Sequence, residues 1–458
     1  TGIINLAGRL EAGLANGSAA AVGTGTLNMT SDDAFISSHV SNYGTANIRG
    51  DIDGTLTNHN IAQTAGNVEV ARLITGVGGN TTINQTHTMT STLTAVNYGT
   101  TTIAGTLNGN IVNTVDTTTP RAVPGTLALA GGVIAGAVTN SGTMNARGTV
   151  TGQLTNSNTL NTTGNLSVGT LTNNGTTNVV AGHLLHSTGA IDNGGQMNVA
   201  GDISLAGISR LTNTGTLTMN GGDITGAVTN DGTMNVNADT EIIGSLINTS
   251  DGELTLNSPA ATGADITLTI ANSFTNYGTV DGTGTGALTI ATGTYINAGG
   301  TVSNVNVVGN LQNEAVLTYD QDAFLNGSLT NTSTGDVTVS AALDMNNNNV
   351  TNRGDFIVTT DLNSAGDMHS VRTLLNESEF EITTGGTVSA NLVENRNGGN
   401  MVVGGTLNSA TQVNNTGATL TVSGVVDADG GIVNRSSGTQ TGQITMAGGT
   451  LDGVVTNH

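Results

Sequence analysis

Through the middle of the chain, apolar residues alternate with polar ones in short runs, and each run stops at a polar corner. In Val228-Thr-Asn-Asp-Gly-Thr-Met234-Asn-Val236, Met234 and Val236 alternate with polar neighbours as a half-buried strand requires, and Val228 marks the strand before. Asn and Gly tolerate left-handed backbone, so the residues between the two strands form a turn.

The corner recurs as Thr-Asn-x-Gly-Thr. It is found at Asn140, Asn173, Asn213, Asn230 and Asn276, with looser copies at Asn156, Asn193, Asn248, Asn297, Asn313, Asn331 and Asn352. Further copies follow at Asn376, Asn395, Asn414, Asn434 and Asn457. The mean spacing is about 20 residues, which is the range of solenoids and leaves no room for a helix in each repeat. The pattern therefore predicts an all-β, single-chain parallel β-helix, expected to be right-handed, with about 20 residues per coil. If every coil turns at the same place, the anchor asparagines stack at about 4.8 Å, and each amide both donates to and accepts from its neighbours as an asparagine ladder.

We expect one continuous solenoid over residues 1–458. Residues 1–125 are the less regular coils, with anchors at Asn42, Asn58 and Asn97. The gaps from 58 to 97 and from 97 to 140 are each near two coils, so a coil in each is expected to lack its Asn. Proline cannot donate to a strand ladder, so Pro120 and Pro124 predict an excursion near 112–125. Residues 126–458 carry the regular repeats, with a second excursion near 257–265 at Pro259. About 23 coils at about 4.8 Å each predict a stiff rod on the order of 110 Å long.

Composition narrows this further. Aromatics are 2% of residues and Trp is absent, so a conventional bulky core is excluded and a thin interior of Val, Ile, Leu, Ala and Thr is expected. Net charge is −22, with ten Arg and no Lys, so no basic patch can neutralise nucleic-acid phosphates or anionic lipid headgroups. Without Cys there are no disulfides or zinc-thiolate sites. No apolar run is long enough for a spanning helix, so membrane insertion is not expected. The chain opens at Thr1 with neither Met nor a charged-then-apolar signal, and a removed leader is expected.

In repeat style, exemplified by Leu211-Thr-Asn-Thr-Gly-Thr-Leu217, and in composition, the chain resembles the passenger regions of bacterial autotransporter and filamentous-haemagglutinin-type adhesins. The resemblance implies a secreted β-helix at the bacterial surface, binding host or surface glycans or proteins. It carries no residue motif over one by one.

Neither terminus reads as a cap. Val454, Val455, Asn457 and His458 begin a repeat that Thr1, Gly2, Ile4 and Leu6 would complete. Either the array continues, or copies stack end to end through Thr1, Gly2, Ile4, Leu6, Val455, Asn457 and His458, a heterologous contact that need not close.

Several constellations are candidate chemistry. Asp320 with Asp322, and Asp427 with Asp429, place carboxylates two apart on one side of a strand or turn, where they could offer hard oxygen ligands to calcium; calcium wants six to eight oxygens, and solvated turn acids explain the pairs as well. His183 and His186 fall on opposite faces of a strand, which argues against a shared metal. Arg49-Gly50-Asp51 and Arg353-Gly354-Asp355 match a receptor-binding triplet, yet repeat logic accounts for both. Asp32-Asp33, with Glu11, Asp51 and Asp53, could complete the carboxylate pair of a polysaccharide hydrolase. Thr-x-Thr pairs such as Thr24 with Thr26 and Thr216 with Thr218 raise ice binding, but they do not recur in one slot.

The expected function is accordingly a non-catalytic, extracellular or cell-surface β-solenoid, a stalk or filament subunit. No cofactor is required, calcium being the one candidate.

Overall fold

The computed structural model describes residues 2–117, 122–258, 263–283, 286–303, 305–360 and 366–458; Thr1, Pro120 and Pro259 lie outside these. All regular structure among the described residues is β-strand. The chain divides into two units, Thr1–Gly226 and Ala227–His458, each a parallel β-solenoid with turns about 20 residues apart.

A coil has three strands. In the first unit one coil consists of Thr176–Val179, Leu184–Ser187 and Ile191–Asn193, and the next of Gln196–Val199, Asp202–Leu205 and Arg210–Asn213. The strands pair in register, with Thr177 on Met197, Leu185 on Ile203 and Asn193 on Asn213. Alternation does the rest. Met197, Val199, Ile203 and Leu211 are buried, whereas Asn198, Ser204 and Thr212 between them face outward. Each fully buried Val, Leu or Ile contributes about 1.5–3 kcal/mol, and in so thin an interior every coil must supply its share.

Some coils run around a corner without a break, as in Thr45–Asn58 and Thr143–Asn156. Gly50 makes the bend inside the first of these at a φ of 75°, and a Cβ there would lie 2.2 Å from the Ala34 carbonyl oxygen. Outside the coil register, Val115–Asp116 pairs antiparallel with Val123–Pro124.

The second unit repeats the plan. Asp336–Val339 and Ala342–Asn352 lie beneath Asp355–Val358 and Asp367–Asn376, with Val337 on Phe356, Leu343 on Met368 and Asn352 on Asn376. Its core differs in holding large rings. Phe274, Tyr295, Tyr319, Phe356 and Phe380 are fully buried. Because pairing aligns Phe274 with Tyr295 and Phe356 with Phe380, their centroids stand 4.5 and 4.8 Å apart, about one coil step.

The corners need both halves of the Asn-x-Gly signature. The Asn side chain turns inward, and the glycine admits the coil beneath it: a Cβ on Gly195 would come within 2.2 Å of the Gly175 carbonyl oxygen. The structure corrects two of the anchor readings and bears out a third. Asn415, not Asn414, occupies the inward position, since Asn395 pairs with Asn415 and Asn415 with Asn434. Between 97 and 140 no Asn is missing, because Asn113 fills the slot. Between 58 and 97 one coil does lack it, and Thr75 stands there instead.

Candidate functional site

The inward asparagines form the most extensive polar feature of both units. In the first, Asn16 donates to Asn42 and Asn42 to Asn58; beyond Thr75, Asn97 donates to Asn113, and the chain continues through Asn140, Asn156, Asn173 and Asn193 to Asn213, at 2.6–2.8 Å. In the second it runs from Asn230 through Asn248, Asn276, Asn297, Asn313, Asn331, Asn352, Asn376, Asn395, Asn415 and Asn434 to Asn457, at 2.7–3.0 Å.

Every one of these bonds runs from an amide nitrogen to the Oδ1 of the following coil. The orientation is fixed by the second N–H, which reaches a main-chain carbonyl of the next coil, as Asn140 reaches Thr159 O and Asn156 reaches Thr176 O. An oxygen in that place would meet another oxygen. The groups are buried and satisfied on both sides, so the ladder costs no stranded donor, and aligned amides polarise one another in the same sense.

Where Thr75 interrupts the ladder, hydroxyls carry it across. Asn58 donates to Thr81 Oγ1, Thr81 and Thr101 each pair with Thr75, and Thr101 donates to Asn97 Oδ1, all at 2.8–3.0 Å. A second, outward ladder was missed from sequence. Asn28 donates to Asn5, Asn47 to Asn28 and Gln63 to Asn47; farther on, Asn198 donates to Asn178, Asn178 to Asn161 and Asn161 to Asn145. These bonds point the opposite way. Its sequence signal was a second Asn at a constant offset from the first, as in 140 and 145, 156 and 161, 173 and 178.

The candidate acids scatter. Asp32 pairs with Arg49 at 2.8 Å, and Glu11 pairs with Arg9, whose guanidinium lies over the Phe35 ring. Asp51 and Asp53 instead share a cleft of about 270 Å³ with Glu69, which stacks directly on Asp51 and was not singled out from sequence.

Asp427 and Asp429 end a groove of about 460 Å³ that crosses successive coils past Asn408, Asn391 and Asn347. Asp322 accepts from the Ala342 amide, and Asp320 is exposed. Among the described residues no three His, Cys, Asp or Glu side chains are grouped so as to hold a metal ion. His183 Nδ1 lies 3.2 Å from Thr162 Oγ1, while His186 sits in the middle of its strand between Ser167 and Ser204. The outward threonines form no uniform column, since Thr26 and Thr45 are followed by Ile61 and Thr218 stacks on Asn198.

Both Arg-Gly-Asp triplets have their arginines engaged. Arg49 holds Asp32, and Arg353 joins Arg396 and Asn397 around Glu377, at 2.8, 3.1 and 2.6 Å. Burial alone would raise the Glu377 carboxyl, but hydrogen bonds from Arg353, Asn397 and Arg396 outweigh it and hold it below the usual carboxylate value.

At the first coil, Gly2–Leu6 pairs with Gly25–Met29, and Ile3 is 68% exposed. At the last, Val455 and Asn457 pair with Ile432 and Asn434, and the His458 amide donates to Asn434 O. Comparison with protein-family models, curated proteins and solved structures returns no match to this chain.

Proposed function

We propose that this chain is a non-catalytic structural solenoid working outside the cell, as an adhesin stalk or a filament subunit. The observation that carries the reading is the inward ladder, which spends the best-buried polar side chains of nearly every coil on joining that coil to the next. Such an arrangement makes each coil a template for its neighbour and gives stiffness without disulfides. A polysaccharide panel assayed for new reducing ends should stay blank. Hydrolysis that disappears in Asp51→Asn would overturn the reading.

A second element of the proposal is assembly. Within each unit all inward-ladder bonds run one way, so Asn457 in the last coil offers a donor and Asn16 in the first coil an acceptor. A copy stacked end to end would continue the ladder, with Val455 and Ile4 lying along the same junction. Electron microscopy of the purified chain should reveal filaments, and monodisperse particles at every concentration would reject assembly.

A further inference from the structure

We propose that the corner of the Thr75 coil binds a neutral pyranose ring, held between the side chains of His59 and Tyr98. The inference is independent of end-to-end assembly and extends the adhesive side of the reading above by naming a ligand class and a place.

Two departures from the repeat coincide there, at a wide corner. The ladder Asn is replaced by Thr75. The corner is the wide form that also follows Asn248 and Asn331: Gly76, Val77, Gly78 and Gly79 separate Thr75 from the strand Asn80–Ile83, with Gly78 at a left-handed φ of 76°. Close by, Val115–Asp116 and Val123–Pro124 leave the coil as the antiparallel pair. Neither the lost Asn nor the antiparallel pair improves coil stacking. A missing ladder Asn and an excursion that meet at one wide corner mark a place shaped for something other than folding.

Aromatic placement points to the same spot. The residue after each ladder position projects outward at the corner, and over four successive coils these are Tyr43, His59, Gly76 and Tyr98. Tyr43 stacks on His59 with centroids 4.6 Å apart and an interplanar angle of 8°. Gly76 then places no side chain in the column; a Cβ there would lie 2.6 Å from His59 Nδ1. His59 and Tyr98 thus bound a cleft of about 420 Å³ with Ile74, Val77 and Val115 among its walls and Asp116 at its rim. Tyr98 also borders a second cleft of about 400 Å³, beneath Val123 and Pro124.

The lining selects the ligand. A cleft of this size lies in the small-molecule range. Ring faces and aliphatic walls suit the C–H face of a sugar, while Asp116, Thr114 and Thr117 offer acceptors to its equatorial hydroxyls. Asp116 has an interaction of its own, and a carboxylate accepts several donors at once. Burial lowers the His59 pKa, which keeps the imidazole uncharged, and the chain carries −22, so an acidic sugar or a phosphate would be repelled. A flat aromatic side chain would fill the slot but leave the hydroxyl and carboxylate rim unused.

The test is saturation-transfer NMR on the whole chain with cellobiose, N,N′-diacetylchitobiose and lactose as probes. At least one should receive saturation on its ring C–H protons, and its titration should move the Ile74 and Val77 methyl resonances but not those of Ile266. Tyr98→Ala should weaken binding about tenfold, as loss of one stacked ring implies, while Tyr98→Phe, and Tyr277→Ala in the second unit, should not. No transfer to any probe, or transfer without Ile74 and Val77 shifts, overturns the proposal even if the Tyr98 variant fails to fold. Binding of a Trp-containing tripeptide at those methyls, with no sugar bound, likewise overturns the assignment to sugar.

Discussion

Asn113 and Asn140 stand 27 residues apart in sequence, yet the amide of the first donates to the side-chain oxygen of the second across 2.6 Å. Both are fully buried, so neither finds water if its partner is lost. Asn140→Ala should strand the Asn113 donor and the Asn156 acceptor. Each unsatisfied buried group costs about 1–3 kcal/mol, which predicts a loss of roughly 2–5 kcal/mol in denaturant unfolding, against less than about 0.5 for Ser141→Ala. Asn140→Thr should recover little, because the slots that hold Thr81 and Thr101 beside Thr75 hold Met144 and Leu160 here.

The strand register gives a paired test. Met234 is fully buried against Leu254, while Thr233 beside it faces outward. Met234→Asp should lower stability by several kcal/mol through burial of an unpaired charge, and Thr233→Asp far less. Equal, small shifts in thermal midpoint would contradict the register.

Much of this was legible beforehand because corner chemistry repeats. Asn turns inward and Gly admits the coil below, so both residue types recur at a fixed place, and the alternation around Met234 follows from strand geometry alone. Asn16 and Asn113 escaped because no Gly-Thr follows them at the usual distance. Asn414 was mistaken for Asn415 because two adjacent asparagines leave the face undecided until the strand is paired. The Asp51 and Glu69 pair, and the His59 and Tyr98 cleft, depend on coils of unequal length, so their neighbours cannot be read from a constant period.

Tyr295 and Tyr319 bury hydroxyls that have no hydrogen-bond partner among the described residues. Removing an unsatisfied buried group should help: Tyr295→Phe and Tyr319→Phe are each expected to raise stability by about 1 kcal/mol, read as an increase in thermal midpoint. The same burial raises both phenol pKa values, that of Tyr295 further through the charge of Tyr319. Folded phenols keep protons that unfolded ones lose near pH 10, so stability should fall as pH rises above about 10, less steeply in the double Phe variant.

Acid should act through Glu377. Its carboxyl is held low in the folded state, so its contribution is present above the ordinary carboxylate value and is lost as pH falls through the folded value. Glu377→Gln should flatten that part of the stability-pH curve, as measured by urea unfolding from neutral pH into the acid range. An unchanged slope would mean that Arg353 and Arg396 contribute nothing there.

The uniform sense of the inward hydrogen bonds has an evolutionary consequence. Wherever the Asn corner is intact, the junction above a coil is chemically the same as the junction below it. Duplicating or deleting one whole coil would therefore bring the same donor to the same acceptor, and a descendant could change its reach by recombination between repeats without redesigning its interior. Length in such a chain is a trait that selection can adjust almost independently of the ability to fold.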